Sequence, residues 1–164
     1  MNIAAVLTVS DSCASGERED RSGPAVAELL RQNGYDVQQR RTVPDEQDEI
    51  EQALISLAQV SQLVVTTGGT GITPRDLTPE ATRAVCSKLV DGIPEKIRSE
   101  GARQTPYAVL GRGLCGVCGA ALVLNLPGSP EGASESLLAV LEILPHALDL
   151  LAGKTAHASG EAGA

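Results

Sequence analysis

Aromatic side chains are nearly missing: the 164 residues include two Tyr and neither Phe nor Trp. Any core must then be packed by Leu, Val, Ile and Ala, and two Tyr are few rings on which single-stranded nucleic acid could stack its bases. Positive charge is also scarce, with 13 Lys and Arg against 21 Asp and Glu and a formal net charge of −8. Nucleic acid is disfavoured as a partner, because its phosphate backbone is bound chiefly by clustered cations. An acidic chain can still take a phosphorylated small molecule where backbone amides and a metal ion offset the charge. No stretch approaches the roughly 18–20 apolar residues that span a bilayer, so no membrane partner is expected. The opening stretch Met1 to Ser12 lacks the basic flank and long apolar segment of a signal peptide, and a cytoplasmic location is expected. The four cysteines, Cys13, Cys86, Cys115 and Cys118, are too few and too unevenly spaced for a disulfide scaffold, and reduced thiols are expected.

What is present reads as alternating strand and helix over a single domain, residues 1–152, followed by a small polar tail at 153–164 expected to be disordered. Apolar runs at Ile3 to Val9, Leu63 to Thr67 and Ala120 to Leu126 suit buried strands, and Tyr35 to Val43 is polar enough for an edge strand. Helices are expected from Ser22-Gly23-Pro24 to a stop at Gly34, from Asp45 through Ala58, from Thr78 to about Lys88, around Pro94 to Gly101, and from Glu131 to Leu144, where Pro145 breaks the run. Leu137, Leu138, Leu141 and Leu144 are expected on the buried face of the last of these. Strands of continuous apolar character separated by helix-length segments indicate a three-layer α/β fold, a mostly parallel sheet with helices on both faces. Ligands in such sheets bind beyond the strand C-termini, where the loops at 10–12, 44–45, 68–76 and 127–130 converge.

The loop after Leu63 to Thr67 is the richest in chemistry. Gly68-Gly69-Thr70-Gly71 lets the backbone come close to a ligand and offers amides to phosphate oxygens, and Asp76 places a carboxylate on the rim where Mg²⁺ can be held. Thr78-Pro79 restarts the chain as a helix, with the Thr hydroxyl expected to cap it. Asp45 taken singly reads as a helix cap, and its place after a strand also lets it share a pocket with Asp76, a pairing that suits metal-assisted phosphoryl or nucleotidyl transfer. Gly111-Arg112-Gly113-Leu114-Cys115-Gly116 matches a dinucleotide fingerprint in letters only, since no helix follows it. Cys115 and Cys118 have the spacing of a redox or half-zinc pair without a second ligand pair, and His146 and His157 are isolated.

Val43-Pro44-Asp45-Glu46, Thr66-Thr67-Gly68-Gly69-Thr70-Gly71, Arg75-Asp76, Thr78-Pro79-Glu80-Ala81 and Asn125-Leu126-Pro127-Gly128-Ser129-Pro130 together resemble the molybdenum cofactor biosynthesis family of Mog and MoaB proteins. The resemblance runs from the Val9-Ser10-Asp11 loop through Asp20-Arg21-Ser22-Gly23-Pro24 to the Ser129-Pro130 segment, the whole of the expected domain. It implies a molybdopterin adenylyltransferase that uses ATP and Mg²⁺, with Asp45 and Asp76 as the catalytic and metal-holding aspartates. Ser10, Asp11, Gly68, Gly69, Thr70, Gly71, Glu95, Arg112, Pro127, Gly128 and Ser129 are implied to bind substrate and nucleotide. It also implies a homotrimer and a downstream molybdate-inserting enzyme as partner.

The chain departs from the family pattern in places. Asp91-Gly92-Ile93-Pro94-Glu95 stands where adenylylating members carry Pro-Gly-Phe-Gly-Glu, and Gly111-Arg112 stands for Ser-Arg. Cys118, Ala120 and Glu131 stand where basic residues are expected. Lost cations weaken phosphate binding, which favours an alternative within the resemblance, a MoaB-like molybdopterin-binding protein with little turnover. A hydrolase of nucleotide-like pyrophosphates, as in the related competence-damage domain, is the third class.

Overall fold

Six strands form one sheet: β1 (Ile3–Val9), β2 (Asp36–Val43), β3 (Leu63–Thr67), β4 (Lys88–Leu89), β5 (Cys115–Cys118) and β6 (Ala121–Leu126). The computed structural model describes residues 1–154, within which the α-helices are α1 (Asp11–Ala14), α2 (Ser22–Gln32), α3 (Gln47–Ala58), α4 (Thr78–Val85), α5 (Gly92–Ala102), α6 (Pro130–Val140) and α7 (Leu144–Leu151), with a 3₁₀ turn at Pro106–Leu110. The strand order is β2-β1-β3-β6-β5-β4, with the first four parallel and β5 antiparallel to both its neighbours. The polar strand β2 lies at an edge, as its composition requires.

Both faces of the sheet are covered, which explains the continuous apolar runs. On one face Ala4, Val6, Leu63 and Val65 pack against Val26 and Leu30 of α2, Ile93 of α5, Leu137 of α6 and Leu144 of α7. On the other, Ala5, Leu7, Val64 and Val123 pack against Ile50, Leu54 and Leu57 of α3 and Ala81 of α4. These side chains come from consecutive strand positions pointing to opposite faces, so a one-residue slip of register would exchange the two cores.

Helix ends follow local chemistry. Gly34 takes φ +88 after α2, with its N–H on the Arg31 carbonyl and the Tyr35 N–H on that of Leu30, a Schellman closure. Gly153 and Lys154 close α7 in the same way on Leu150 and Asp149; the rest of the expected tail, with His157, lies outside the described residues. Ser129 caps α6 by accepting from the Gly132 N–H at 3.0 Å, with Pro130 at the first helical position.

Several expectations are corrected. The helix from Thr78 stops at Val85, and Lys88–Leu89 pairs with β5. Strand β5 is not evident from the sequence, because Gly116 at its centre weakens any strand pattern, and its pairing with β6 on one side and β4 on the other stabilises it. The helix expected to reach Leu144 ends at Val140, and Pro145 opens α7 rather than breaking its predecessor, since a first-turn N–H has no helical partner to lose. Leu138 is exposed, not buried. Asp45 does not cap α3, whose cap is Glu46 without a side-chain bond, and the Thr78 hydroxyl donates back to the Gly68 carbonyl at 2.9 Å instead of capping α4.

Candidate active site

Four loops meet at the C-terminal edge of the parallel strands, above a buried polar layer. Thr66, Thr67 and Asn125 end the aliphatic interiors of β3 and β6. Asn125 donates to the hydroxyls of Thr66 and Thr82, each at 3.0 Å, and accepts from the Leu114 N–H, while Ser22 and Thr67 share a hydrogen bond at 2.8 Å. Each of these buried side chains has a partner, so the layer can be rigid without leaving a polar group stranded.

The glycine turn rests on this layer. Gly68 and Gly69 have φ +90 and +68, and a side chain at the first would strike the Val9 carbonyl oxygen while one at the second would strike the Thr78 hydroxyl. Gly68 donates to the Leu126 carbonyl at 3.1 Å, and the Gly69 carbonyl accepts from the Thr78 N–H at 3.1 Å. Gly128 passes over Gly68, where an added Cβ would lie 3.3 Å from the Gly68 Cα. Among the described residues, the N–H groups of Gly69, Thr70, Gly71, Gly128 and Ser129 find no protein acceptor, a set of donors suited to phosphate oxygens.

Asp45 and Asp76 lie against opposite parts of that turn. An added Cβ would come 3.2 Å from Asp45 Oδ1 at Gly69 and 2.8 Å from Asp76 Oδ2 at Gly71. Asp45 Oδ2 accepts from the Asp11 N–H at 2.9 Å, and Asp76 Oδ2 accepts from the Thr73 N–H at 2.9 Å and the Thr73 hydroxyl at 2.7 Å. Each carboxylate thus keeps its Oδ1 without a protein partner among the described residues. Partial burial pushes the Asp45 carboxyl above its usual range; the Asp11 N–H opposes this, and the charges of Asp11 and Asp76 add to it. No cluster of three or more His, Cys, Asp or Glu among the described residues forms a metal cage. Two carboxylates with free oxygens beside unpaired backbone amides nevertheless fit Mg²⁺, which is commonly bound by one or two carboxylates together with substrate phosphates.

Arginines secure the surrounding loops. Arg75 grips the Asp11 carboxylate through Nε and Nη2 at 3.0 and 2.9 Å and reaches Glu46 at 3.1 Å. That bond, then the Asp45 N–H, holds the Asp11 carboxyl below its usual range. Arg112 binds the Gly71 carbonyl through Nε at 2.8 Å, the Asp76 carbonyl through Nη2 at 2.9 Å and Glu80 through Nη1 at 2.6 Å. For Glu80, burial pulls the carboxyl upward, and the Arg112 bond, its own N–H and nearby arginine charge outweigh it to leave the group lowered. Arg75 and Glu80 stand inside motifs read from the sequence, but nothing local in those motifs reveals pairing across 64 and 32 positions.

Two clefts flank the Gly68–Gly128 contact. One is lined by Thr8, Ser10, Arg18, Asp20, Ser22 and Ser129, among others. Asp20 organises its wall by accepting from the Thr8 hydroxyl at 2.7 Å and the Gly23 N–H at 3.0 Å. The other runs between α5 and α6 and is lined by Thr70, Arg98, Gly113, Asn125 and Pro127. Ser10, Asp11, Asp45, the glycine turn, Asp76, Arg112 and Pro127 to Ser129 are therefore brought to one edge. Glu95 is not in that set: it is exposed in the first turn of α5 and lines neither cleft. Cys115 and Cys118 pack into opposite cores, and burial raises both thiols, Cys115 to about 12, so the spacing carries no redox or metal pair.

Residues 5–146 match the model of a family described as a probable molybdopterin binding domain. The chain belongs to this molybdopterin-binding domain family. It is 41% identical over 157 residues to the molybdopterin adenylyltransferase of Helicobacter pylori strain J99, covering 90% of this chain and 86% of that protein. It is 42% identical over 149 residues to the molybdenum cofactor synthesis protein cinnamon of Drosophila melanogaster, covering 89% of this chain but spanning only 25% of that protein. The solved structure of the molybdopterin biosynthesis enzyme MoaB from Thermus thermophilus is similar at a TM-score of 0.88 and 48% identity, over 93% of this chain and 98% of that one.

The molybdopterin-binding fold also locates the departures from pattern. Gly119 and Ala120 form the turn before β6, at the end of that strand opposite Leu126 and the site, and Cys118 is buried beside them. Missing charge at 118 and 120 therefore lies across the sheet from the glycine turn. Of the three positions where a basic residue is expected, Glu131, in the first turn of α6, is the one that stands next to the site.

Proposed function

We propose that this chain is a molybdopterin adenylyltransferase that transfers AMP from Mg²⁺-ATP to the terminal phosphate of molybdopterin. The observation that carries the reading is the pair Asp45 and Asp76, each with one unpaired oxygen, set about a glycine turn with unpaired N–H donors. An oxygen of the molybdopterin phosphate attacks the α-phosphorus of ATP, the bond from that phosphorus to the β-phosphate oxygen breaks, and pyrophosphate leaves. Such a transfer depends on alignment and charge neutralisation more than on covalent participation by the protein.

The amides of Gly69, Thr70, Gly71, Gly128 and Ser129 donate to phosphate oxygens, and Ser10 lines the adjoining cleft. Asp76 and Asp45 hold Mg²⁺, which when bound supplies charge neutralisation on the triphosphate. Asp11 acts on Asp45 rather than on substrate, since its carboxylate is engaged by Arg75 and the Asp45 N–H. A homotrimer in the cytoplasm, passing product to a molybdate-inserting enzyme, completes the reading.

A second reading, a molybdopterin-binding protein with little turnover, is favoured by Glu131, whose negative charge at the start of α6 replaces an expected cation. Calorimetric titration with molybdopterin, with and without ATP and Mg²⁺, and light scattering for the oligomer test these points. Pterin binding accompanied by ATP-dependent heat supports the transferase, and pterin binding without it supports the second reading.

A further inference from the structure

The geometry points to Arg112 as a positioning residue that fixes Asp76 and the glycine turn from beneath and makes no contact with substrate. This rests on the transferase reading for its consequence in turnover, but not for the clamp itself. Arg112 engages the loop at three peptides: its own N–H donates to the Thr70 carbonyl at 2.9 Å, its Nε to the Gly71 carbonyl at 2.8 Å and its Nη2 to the Asp76 carbonyl at 2.9 Å. The remaining bonds go to Glu80, at 2.6 Å from Nη1 and 3.5 Å from Nη2. A guanidinium has five N–H donors in a fixed fork, and here four of them are directed at protein oxygens, so none of its paired edges is left to grip a phosphate.

The contacts are also placed where they act on chemistry. Gly71 is the peptide against which Asp76 Oδ2 rests, and Asp76 is held through its own carbonyl. One side chain therefore spans both ends of the loop from Gly71 to Asp76, and Glu80 ties that side chain to α4. Lysine cannot replace it, because a single ammonium on a flexible stem cannot reach two carbonyls and a carboxylate in a fixed plane.

The test compares wild type with Arg112→Lys and with Glu80→Gln, which loosens the same clamp from the far side. Amide hydrogen exchange read by mass spectrometry should show faster exchange at the hydrogen-bonded amides of Thr73, Asp76 and residue 112 in both variants, with β1 and β3 unchanged. Single-turnover adenylylation should fall about 10²-fold in Arg112→Lys, as expected for a small misplacement of a reacting group. The KM values for ATP and molybdopterin should stay within about threefold, with a higher Mg²⁺ midpoint. Unchanged exchange in the loop overturns the clamp, and so does a large rise in either KM with turnover retained, which marks a substrate contact. A wild type that exchanges normally but makes no product overturns the transferase reading alone, while the exchange comparison still decides the clamp.

Discussion

Asp11 and Asp45 hold each other through two reciprocal hydrogen bonds, each backbone N–H donating to the other's carboxylate at 2.9 Å. The pair joins the loop after β1 to the loop after β2, and Arg75 ties both to the loop that carries Asp76. The two carboxylates assigned to the metal are thus connected through a third that is not.

Asp11→Asn should weaken turnover without unfolding the protein. The Asp11 N–H remains to bind Asp45, but the bidentate grip of Arg75 is lost, so the loops after β1 and β3 are less firmly joined. The expected result is a several-fold loss in adenylylation with a melting temperature near that of wild type, since exposed ion pairs contribute little to stability. Differential scanning fluorimetry and a coupled pyrophosphate assay check both halves.

Asp76→Asn should abolish Mg²⁺-dependent turnover and leave folding intact, because its carboxylate is half-exposed and bonded only within its own loop. Asp45→Ala should do the same to turnover and also lower stability by about 1 kcal/mol through loss of the acceptor for the Asp11 N–H. Urea denaturation separates them, and a stable, active Asp45→Ala variant removes that residue from the mechanism.

The raised Asp45 carboxyl gives a pH dependence of definite sign. A group whose folded pKa lies above its unfolded value contributes stability at low pH that is lost as pH rises through the folded pKa. Ionised Asp45 is also the form that binds a cation, so stabilisation by Mg²⁺ with a non-hydrolysable ATP analogue should appear over the same rise in pH. Carbon-detected NMR titration should show the Asp45 pKa falling in Asp76→Asn, because a neighbouring negative charge that raises it is removed.

Gly68→Ala should be strongly destabilising. Its φ of +90 disfavours any L side chain, and the added Cβ meets the Val9 carbonyl oxygen. The backbone conformation alone costs roughly 1–2 kcal/mol, and the collision adds to it. Gly16→Ala, at a positive φ with open space around it, should lose only the first contribution. Thermal melts of the two variants beside wild type check the difference.

Much of this architecture is legible in the chain because apolar runs, glycines and prolines act locally. The runs at Ile3–Val9 and Leu63–Thr67 read as buried strands, and Gly68-Gly69 reads as a turn or a close backbone passage. What the sequence conceals depends on partners distant along the chain. Strand β5 exists because β6 and β4 pair with it, despite Gly116. Asp45 reads as a cap when only its neighbours are considered, yet its carboxylate is claimed by an N–H 34 positions away. Arg112 reads as a substrate- or nucleotide-binding residue by resemblance, and its donors go to carbonyls and Glu80.

The most direct test is mass-spectrometric detection of adenylylated molybdopterin from purified protein, ATP, Mg²⁺ and molybdopterin, run beside Asp76→Asn. The account predicts product from wild type that depends on Mg²⁺, and at least about 10²-fold less from the variant. Absence of product from a wild type that binds molybdopterin, or equal product from the variant, would contradict it.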